Sequence, residues 1–195
     1  METTTENAVK NDIKKVMFRT DIMSFLNKAK NKDKFRTGLD FYFVEDGYMF
    51  TTDGRRAHRV SAKNYNISLE NGAYTFCCTS KGKMFSEFLV SKENATIPAL
   101  KKVWPLETEL VLEGYLQLSN DEHDLTSALI KIYTKTGRAI NIKYIKDLHY
   151  EAKFTQVSVN APKGFIMAND KPLIFKVSGE DNVQALILPL RVEVK

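Results

Sequence analysis

Aromatic-rich apolar runs separated by short polar turns dominate the stretch before residue 60. The two apolar runs are residues 39–44 and 48–50, and aromatic side chains favour the half-buried surface of a β-sheet. Glu45-Asp46-Gly47 lies between them and supplies a glycine where a tight turn needs a positive φ. Asp53-Gly54 then turns the chain into a further strand-like run, 55–60. The pattern predicts an antiparallel meander of three strands.

In two other stretches, the apolar residues recur at the spacing of a helix instead of in strand-like runs. A first helix is predicted over residues 20–31, where Thr20-Asp21 can cap the amino terminus. A second, shorter helix is predicted over 141–149. The apolar residues at helical spacing are Ile22, Met23, Phe25, Leu26 and Ala29 in the first helix, and Ile142, Ile145 and Leu148 in the second.

Short extended segments fill most of the remaining chain. Strands are expected at 13–19, 73–79, 84–91, 109–118, 128–134, 155–159, 164–167, 173–177 and 184–194. Two prolines indicate an extended piece at 95–105, and residues 120–124 have the composition of an acidic loop. A helix followed by a meander occurs twice, which predicts an α+β fold of antiparallel sheets with two helices on one face.

The composition is that of a globular protein, with 43% hydrophobic and 27% charged residues. The apolar runs are too short to span a bilayer, and the polar tail at 1–12 lacks the apolar core of a secretory signal. We therefore expect a cytoplasmic protein without membrane contact. The two cysteines, Cys77 and Cys78, are adjacent, and we expect them to be reduced packing residues.

The net charge of +5 is unevenly distributed. Its densest cluster is Lys28, Lys30, Lys32, Lys34 and Arg36, which only Asp33 opposes. One interpretation is a solvated helix end, since cations suit the negative end of a helix dipole. The other interpretation is a surface that faces phosphates.

Signals for catalysis are few. Asp121-Glu122-His123-Asp124 is the only cluster of metal-ligating side chains, and it is contiguous rather than gathered from separate elements. His58, His123 and His149 show no zinc spacing, and the sequence contains no glycine-rich phosphate loop. We predict no catalytic residues, no metal and no cofactor. An unrelated α+β metal-dependent enzyme that uses the 121–124 loop is an alternative.

Four segments, in chain order, carry motifs of one known family. Residues 51–57 read Thr-Thr-Asp-Gly-Arg-Arg-Ala, and 97–105 read Ile-Pro-Ala-Leu-Lys-Lys-Val-Trp-Pro. Residues 140–148 read Ile-Asn-Ile-Lys-Tyr-Ile-Lys-Asp-Leu, and 185–192 read Ala-Leu-Ile-Leu-Pro-Leu-Arg-Val. In the same order they resemble Ala-Thr-Asp-Gly-His-Arg-Leu, Phe-Pro-Asp-Tyr-x-x-Val-x-Pro, Phe-Asn-x-x-Tyr-Leu-x-Asp-x-Leu and Tyr-Val-x-Met-Pro-Met-Arg-Leu of the bacterial DNA polymerase III beta sliding clamp.

The resemblance implies a DNA-clamp-like fold and a non-enzymatic DNA-processivity or scaffold protein. A clamp subunit has three domains, and 195 residues are too few for three of ordinary size. We therefore expect residues 13–104 and 105–195 to form two clamp-like halves or small domains. The abbreviated length suggests a phage or mobile-element relative.

Two sets of site residues follow from the resemblance. Clamp helices line a hole and present cations to duplex DNA, so that phosphates rather than base edges are contacted. The candidates for this role are Lys28, Lys30, Lys32, Lys34, Arg36, Lys143 and Lys146. The family also docks partner peptides in a cleft, to which the matching residues here are Thr52, Gly54, Ala57, Pro105, Leu188, Pro189, Leu190 and Arg191.

The partners that the resemblance implies are double-stranded DNA and a DNA polymerase or other replication or repair proteins, which would bind through short peptide motifs. A homo-oligomeric ring is expected to surround the DNA. A monomeric relative that only docks peptides is the alternative within the family.

Overall fold

A computed structural model of the chain describes residues 13–33, 35–112, 116–119, 121–148, 154–163, 171–177 and 182–190. The polar tail at 1–12 and the strand expected at 164–167 lie outside these ranges. The strands are β1 Lys14–Arg19, β2 Tyr42–Glu45, β3 Tyr48–Thr52, β4 Arg56–Ser61, β5 Gly72–Lys81, β6 Phe85–Glu93, β7 Thr108–Leu110, β8 Leu116–Ser119, β9 Phe154–Pro162, β10 Leu173–Val177 and β11 Val183–Ile187. The helices are α1 Thr20–Ala29, α2 Leu100–Val103, α3 Glu122–Thr136 and α4 Ile142–Lys146, with a 3-10 turn at Thr37–Leu39.

These strands form one antiparallel sheet in the order β1-β6-β5-β2-β3-β4-β11-β10-β9-β7, and β8 also pairs with β9. The pairing of β4 with β11, which sets Val60 opposite Val183, joins the two parts of the chain edge to edge. The division into 13–104 and 105–195 stays a prediction, although both parts contribute strands to the same sheet.

Alternate residues of the sheet face two different hydrophobic cores. Val44 and Met49 face the larger core, whereas their neighbours Phe43 and Phe50 face the smaller one. Helices α1, α3 and α4 all bury apolar side chains in the larger core. Helix α2 lies against the other face, where Trp104 follows it into the smaller core. The α+β fold is confirmed, with the two expected helices on one face; α3 is a third helix on that face, and the short α2 lies on the other.

Two tight turns build the predicted meander. Asp46 and Gly47 adopt positive φ between β2 and β3, and Gly54 does so between β3 and β4. The Asp53 carboxylate accepts hydrogen bonds from the backbone N–H groups of Arg55 (2.9 Å) and Arg56 (3.0 Å) and closes the second turn. The three strands pair in antiparallel register, so the meander is confirmed.

The strand expected at 128–134 is wrong, because these residues lie within helix α3. Leu125, Ala128 and Ile132 are its buried side chains and follow helical spacing.

The acidic loop expected at 120–124 is also wrong for residues 121–124, which the structure describes as the N-cap and first turn of α3. Asp121 is the N-cap and accepts a 2.7 Å hydrogen bond from the His123 N–H, and the acidic residues after it suit the first helical turn.

Three smaller expectations also need correction. The segment at 95–105 is not extended throughout, since it contains the short helix α2. The strand expected at 109–118 is replaced by two short strands, β7 and β8. Cys77 and Cys78 are free but exposed on β5, so they are not packing residues.

Candidate peptide cleft and basic helix face

An apolar cavity of about 240 Å³ lies where the β3–β4 turn meets α2 and the end of β11. We call it the cleft. Four of the predicted peptide-binding residues line it, namely Thr52, Gly54, Ala57 and Leu188. The other lining residues are Leu39, Arg55, Arg56, Pro98, Ala99, Leu100, Val103 and Leu186.

Hydrogen bonds fix the β3–β4 turn and attach it to the segment that follows β11. The Thr52 hydroxyl donates to the Arg56 carbonyl (2.6 Å) and accepts from the Gly54 N–H (3.0 Å), which fixes the turn. After β11, the Leu188 N–H donates to the Arg55 carbonyl (3.0 Å). The turn and the segment after β11 therefore meet, as the sequence motifs suggested.

The remaining predicted peptide-binding residues lie elsewhere. Pro105 lines a different cavity on the far side of α2. Pro189 and Leu190 follow Leu188 but are not among the cleft residues, and Leu190 is 49% exposed. Arg191 lies outside the described residues. Pro98 supplies a proline to the cleft in place of Pro105, and it belongs to the same 97–105 motif, so that motif could have identified it.

The basic residues at the end of α1 surround a second, polar cavity of about 240 Å³. Lys28, Lys30 and Lys32 line it, together with Asn31, Asp53, Arg56 and Asp147. Burial lowers the pKa of Lys28, while the nearby Asp147 carboxylate acts in the opposite direction. Burial likewise lowers the pKa of Lys30, whose ammonium lies 5.0 Å from the centre of the Tyr42 ring.

The other predicted DNA-binding residues differ in their surroundings. Arg36 donates from Nη1 to the Asp53 carbonyl (3.0 Å) and so supports the β3–β4 turn. Lys32, Lys143 and Lys146 are exposed. Lys34 lies outside the described residues. Of the predicted set that the structure describes, these three lysines and Arg36 are exposed, whereas Lys28 and Lys30 are half-buried.

Arg56 joins the two basic segments. Its guanidinium contacts the carboxylates of Asp53 (3.1 Å) and Asp147 (2.5 Å), and it also donates to the Lys28 carbonyl. It lies 4.4 Å from the centre of the Tyr144 ring. Because Lys28 belongs to α1 while Tyr144 and Asp147 belong to α4 and its cap, Arg56 links the end of α1 to α4. Arg56 also lines both the cleft and the polar cavity.

Neither a metal-binding cluster nor a membrane-spanning helix occurs in the part of the chain that the structure describes. Within these ranges, no three His, Cys, Asp or Glu side chains are grouped so as to hold a metal ion. None of the helices in the same part of the chain has the length and apolar character to cross a membrane.

The fold that carries these sites is that of a sliding clamp. No protein-family model matches the sequence, and no curated protein matches it. Among solved structures, the C. crescentus beta sliding clamp matches 98% of this chain and 68% of its own, with 14% identity and a TM-score of 0.54.

Two further structures agree with this assignment of the fold. DNA polymerase III subunit beta from Borrelia burgdorferi matches 96% of this chain and 67% of its own, with 12% identity and a TM-score of 0.50. The match to the sliding clamp from Pseudomonas aeruginosa covers 93% of this chain and 68% of that clamp, with 11% identity and a TM-score of 0.50. The resemblance seen in the sequence motifs is confirmed at the level of the fold, and the chain spans about two thirds of the length of these clamps.

Proposed function

We propose that this chain is a non-enzymatic, sliding-clamp-like protein that contacts duplex DNA along its helix face and docks partner peptides in the cleft. The observation that carries the proposal is the position of Arg56, which lines the cleft and also joins the basic ends of α1 and α4. One clamp fold thus presents a peptide pocket beside a cationic helix face.

Contact with DNA would depend on phosphates alone. Lys32, Lys143 and Lys146 are exposed near the helix ends that Arg56 joins. Flexible lysines neutralise phosphates and release counterions without reading base edges. Binding by these residues would therefore be weak, blind to sequence and steeply dependent on salt.

Peptide docking would depend on burial of an apolar side chain. Leu39, Val103, Leu186 and Leu188 supply apolar walls to the cleft. An anchor of leucine or phenylalanine size gains about 1.5–3 kcal/mol when it is fully buried. Short segments of a DNA polymerase, or of another replication or repair protein, are the partners that we propose.

A homo-oligomeric ring is the form in which this proposal works best. The net charge of one chain is only +5, whereas several copies around one hole would sum their cationic faces. Closed rings arise when the rotation between neighbouring subunits closes on itself.

Retention on circular DNA tests the ring directly. The protein is mixed with linear duplex, which a closed ring can thread from its ends, and half of the mixture is circularised with ligase before both halves are passed through gel filtration at moderate salt. A ring is expected to stay on the circle and to slide off the linear molecule. Light scattering on the free protein measures the number of copies. A monomer that is retained on neither DNA but binds peptides would support the peptide-docking alternative instead.

A further inference from the structure

A third cavity, of about 260 Å³, lies on the face of the sheet opposite α1, α3 and α4. We call it the Arg59 cavity. Tyr48, Arg59, Trp104 and Pro105 line it between the meander and α2. Leu100 lines both this cavity and the cleft, so the two lie on either side of α2.

Arg59 is held rigidly at this cavity. Its guanidinium carbon lies 3.6 Å from the centre of the Trp104 ring and 4.2 Å from that of Tyr48. Its Nε and Nη2 donate to Gln184 Oε1, at 3.0 and 2.7 Å. A guanidinium has more N–H donors than one amide oxygen occupies, and its planar fork matches a carboxylate. The side chain is therefore oriented in advance, and it retains N–H donors that are not used by the described residues.

The charge of Arg59 is not balanced by an anion within the described ranges. Its neighbours there are two aromatic rings and an amide, and no carboxylate lies at ion-pair distance. Burial lowers the pKa of Arg59 to about 10, which leaves it cationic at neutral pH. A partly buried cation without a counter-charge is costly, and an arriving anion would offset that cost.

The other charged residues that line the cavity, Glu45, Asp46 and Lys101, show which anion fits. Asp46 pairs with Lys101 at 2.8 Å, and Glu45 adds to the negative field at that lysine. These two carboxylates would repel a polyanion such as the DNA backbone. A single carboxylate on an apolar stem meets less repulsion, and the rings of Tyr48 and Trp104 can pack against such a stem.

We propose that the Arg59 cavity binds an aspartate or glutamate side chain of the same partner segment that places its apolar anchor in the cleft. This proposal rests on the proposed docking function of the cleft. The two cavities share the lining residue Leu100, so an extended segment that crosses α2 can place one side chain in each. The partner motif would then combine an apolar residue with an acidic one.

Trp104 gives a direct readout, because it is the only tryptophan in the sequence and it stacks on Arg59. The probes are acetylated, amidated peptides with one leucine and one glutamate, separated by glycine-serine spacers of increasing length. Each has a matched peptide with glutamine in place of glutamate. For the best spacer, we expect the glutamate peptide to change Trp104 fluorescence and to bind about tenfold more tightly than its glutamine match.

Two variants test whether Arg59 causes the preference for the glutamate peptide. Arg59→Gln should bind the two peptides equally, and Arg59→Lys, which retains the charge but loses the planar fork, should retain only part of the preference. Circular dichroism verifies the folding of both variants, and the comparison of peptides on the unmodified protein stands even if a variant does not fold.

The other possible outcomes distinguish a failure of the carboxylate site from a failure of the cleft. Equal binding of both peptides, without a change in Trp104 fluorescence, overturns the carboxylate site and leaves the cleft standing. Failure of both peptides to bind overturns the cleft and the carboxylate site together. Quenching of Trp104 by a short DNA duplex, but not by the glutamate peptide, overturns the proposal in favour of a phosphate ligand.

Discussion

The guanidinium of Arg56 lies 2.5 Å from the carboxylate of Asp147, although 91 residues separate them in the chain. The contact connects β4, at the centre of the sheet, to the cap of α4 on its surface. Arg56 is only 11% exposed at its side chain, so this is a mostly buried ion pair rather than a surface one. Such a pair is costly to break from one side because the other charge stays behind.

Arg56→Ala should therefore lower the free energy of unfolding by about 3 kcal/mol. It would leave Asp53 and Asp147 facing each other without the guanidinium between them. Urea unfolding followed by circular dichroism measures the effect. Lys92→Ala is the control, because the Lys92–Glu70 pair is exposed and should contribute less than about 1 kcal/mol. Equal losses in the two variants would contradict the role given to Arg56.

His58 should make stability depend on pH. It is fully buried, stacks on Phe25 with ring centres 4.2 Å apart, and its Nδ1 lies 2.8 Å from the Phe25 carbonyl. The carbonyl can only accept, so Nδ1 carries the proton of a neutral ring. Burial lowers the pKa of His58 from 6.5 to about 3. Between these values the unfolded chain binds the additional proton, so stability falls as pH falls.

We expect the free energy of unfolding to drop by about 1 kcal/mol between pH 7 and pH 5.5 from this residue alone. Urea unfolding at the two pH values measures it. His58→Phe retains an aromatic ring beside Phe25 but cannot titrate, so its unfolding free energy should change less over the same interval. An unchanged pH dependence in His58→Phe would assign the effect to other groups.

Charge reversal on the helix face should weaken DNA binding. Lys32→Glu combined with Lys143→Glu should lower affinity and reduce the slope of log affinity against log salt by about two units, one for each lost phosphate contact. Fluorescence anisotropy with a labelled duplex at several salt concentrations measures both effects. The matched control combines Lys102→Glu with Lys176→Glu, which makes the same change of charge on the opposite side of the sheet. Equal losses in the two double variants would indicate that only net charge matters.

Two leucines two residues apart give a matched test of the cleft. Leu188 lines it, whereas Leu190 is exposed and is not among its lining residues. Leu188→Asp places a charge in the apolar wall and should weaken binding of a leucine-containing peptide by about tenfold or more. Leu190→Asp should leave that binding almost unchanged. Isothermal titration calorimetry measures both, and a similar loss in each variant would exclude this cavity as the docking site.

Local signals in the sequence predicted the parts of the fold that local chemistry determines. The Asp46-Gly47 and Asp53-Gly54 turns rest on backbone conformations that neighbouring residues specify, so the meander could be predicted. Helix α3 was missed because β-branched and aromatic residues, such as Ile130, Ile132 and Tyr133, suggest a strand over a short window. Its buried face becomes clear only over the longer period from Leu125 to Ile132.

The candidate sites likewise divide into residues that the sequence predicted and residues that it did not. The motif around Thr52 and Gly54 identified one wall of the cleft, and the family resemblance identified Leu188 as part of the other. The stacking of Arg59 on Trp104 could not be predicted, because the two residues meet only when the segment before β7 folds back over the sheet. No local pattern marks either residue as half of that pair.

The pairing of β4 with β11 also affects how the protein is made. Arg59 and Gln184 are hydrogen-bonded across 125 residues of chain, and contacts of such long range form slowly because a large loop must first close. On the ribosome, β4 would emerge long before its partner strand and would wait with an open edge. The cleft would remain incomplete until Leu188 was released, so a nascent chain could recruit a partner only after β11 and the residues next to it had emerged.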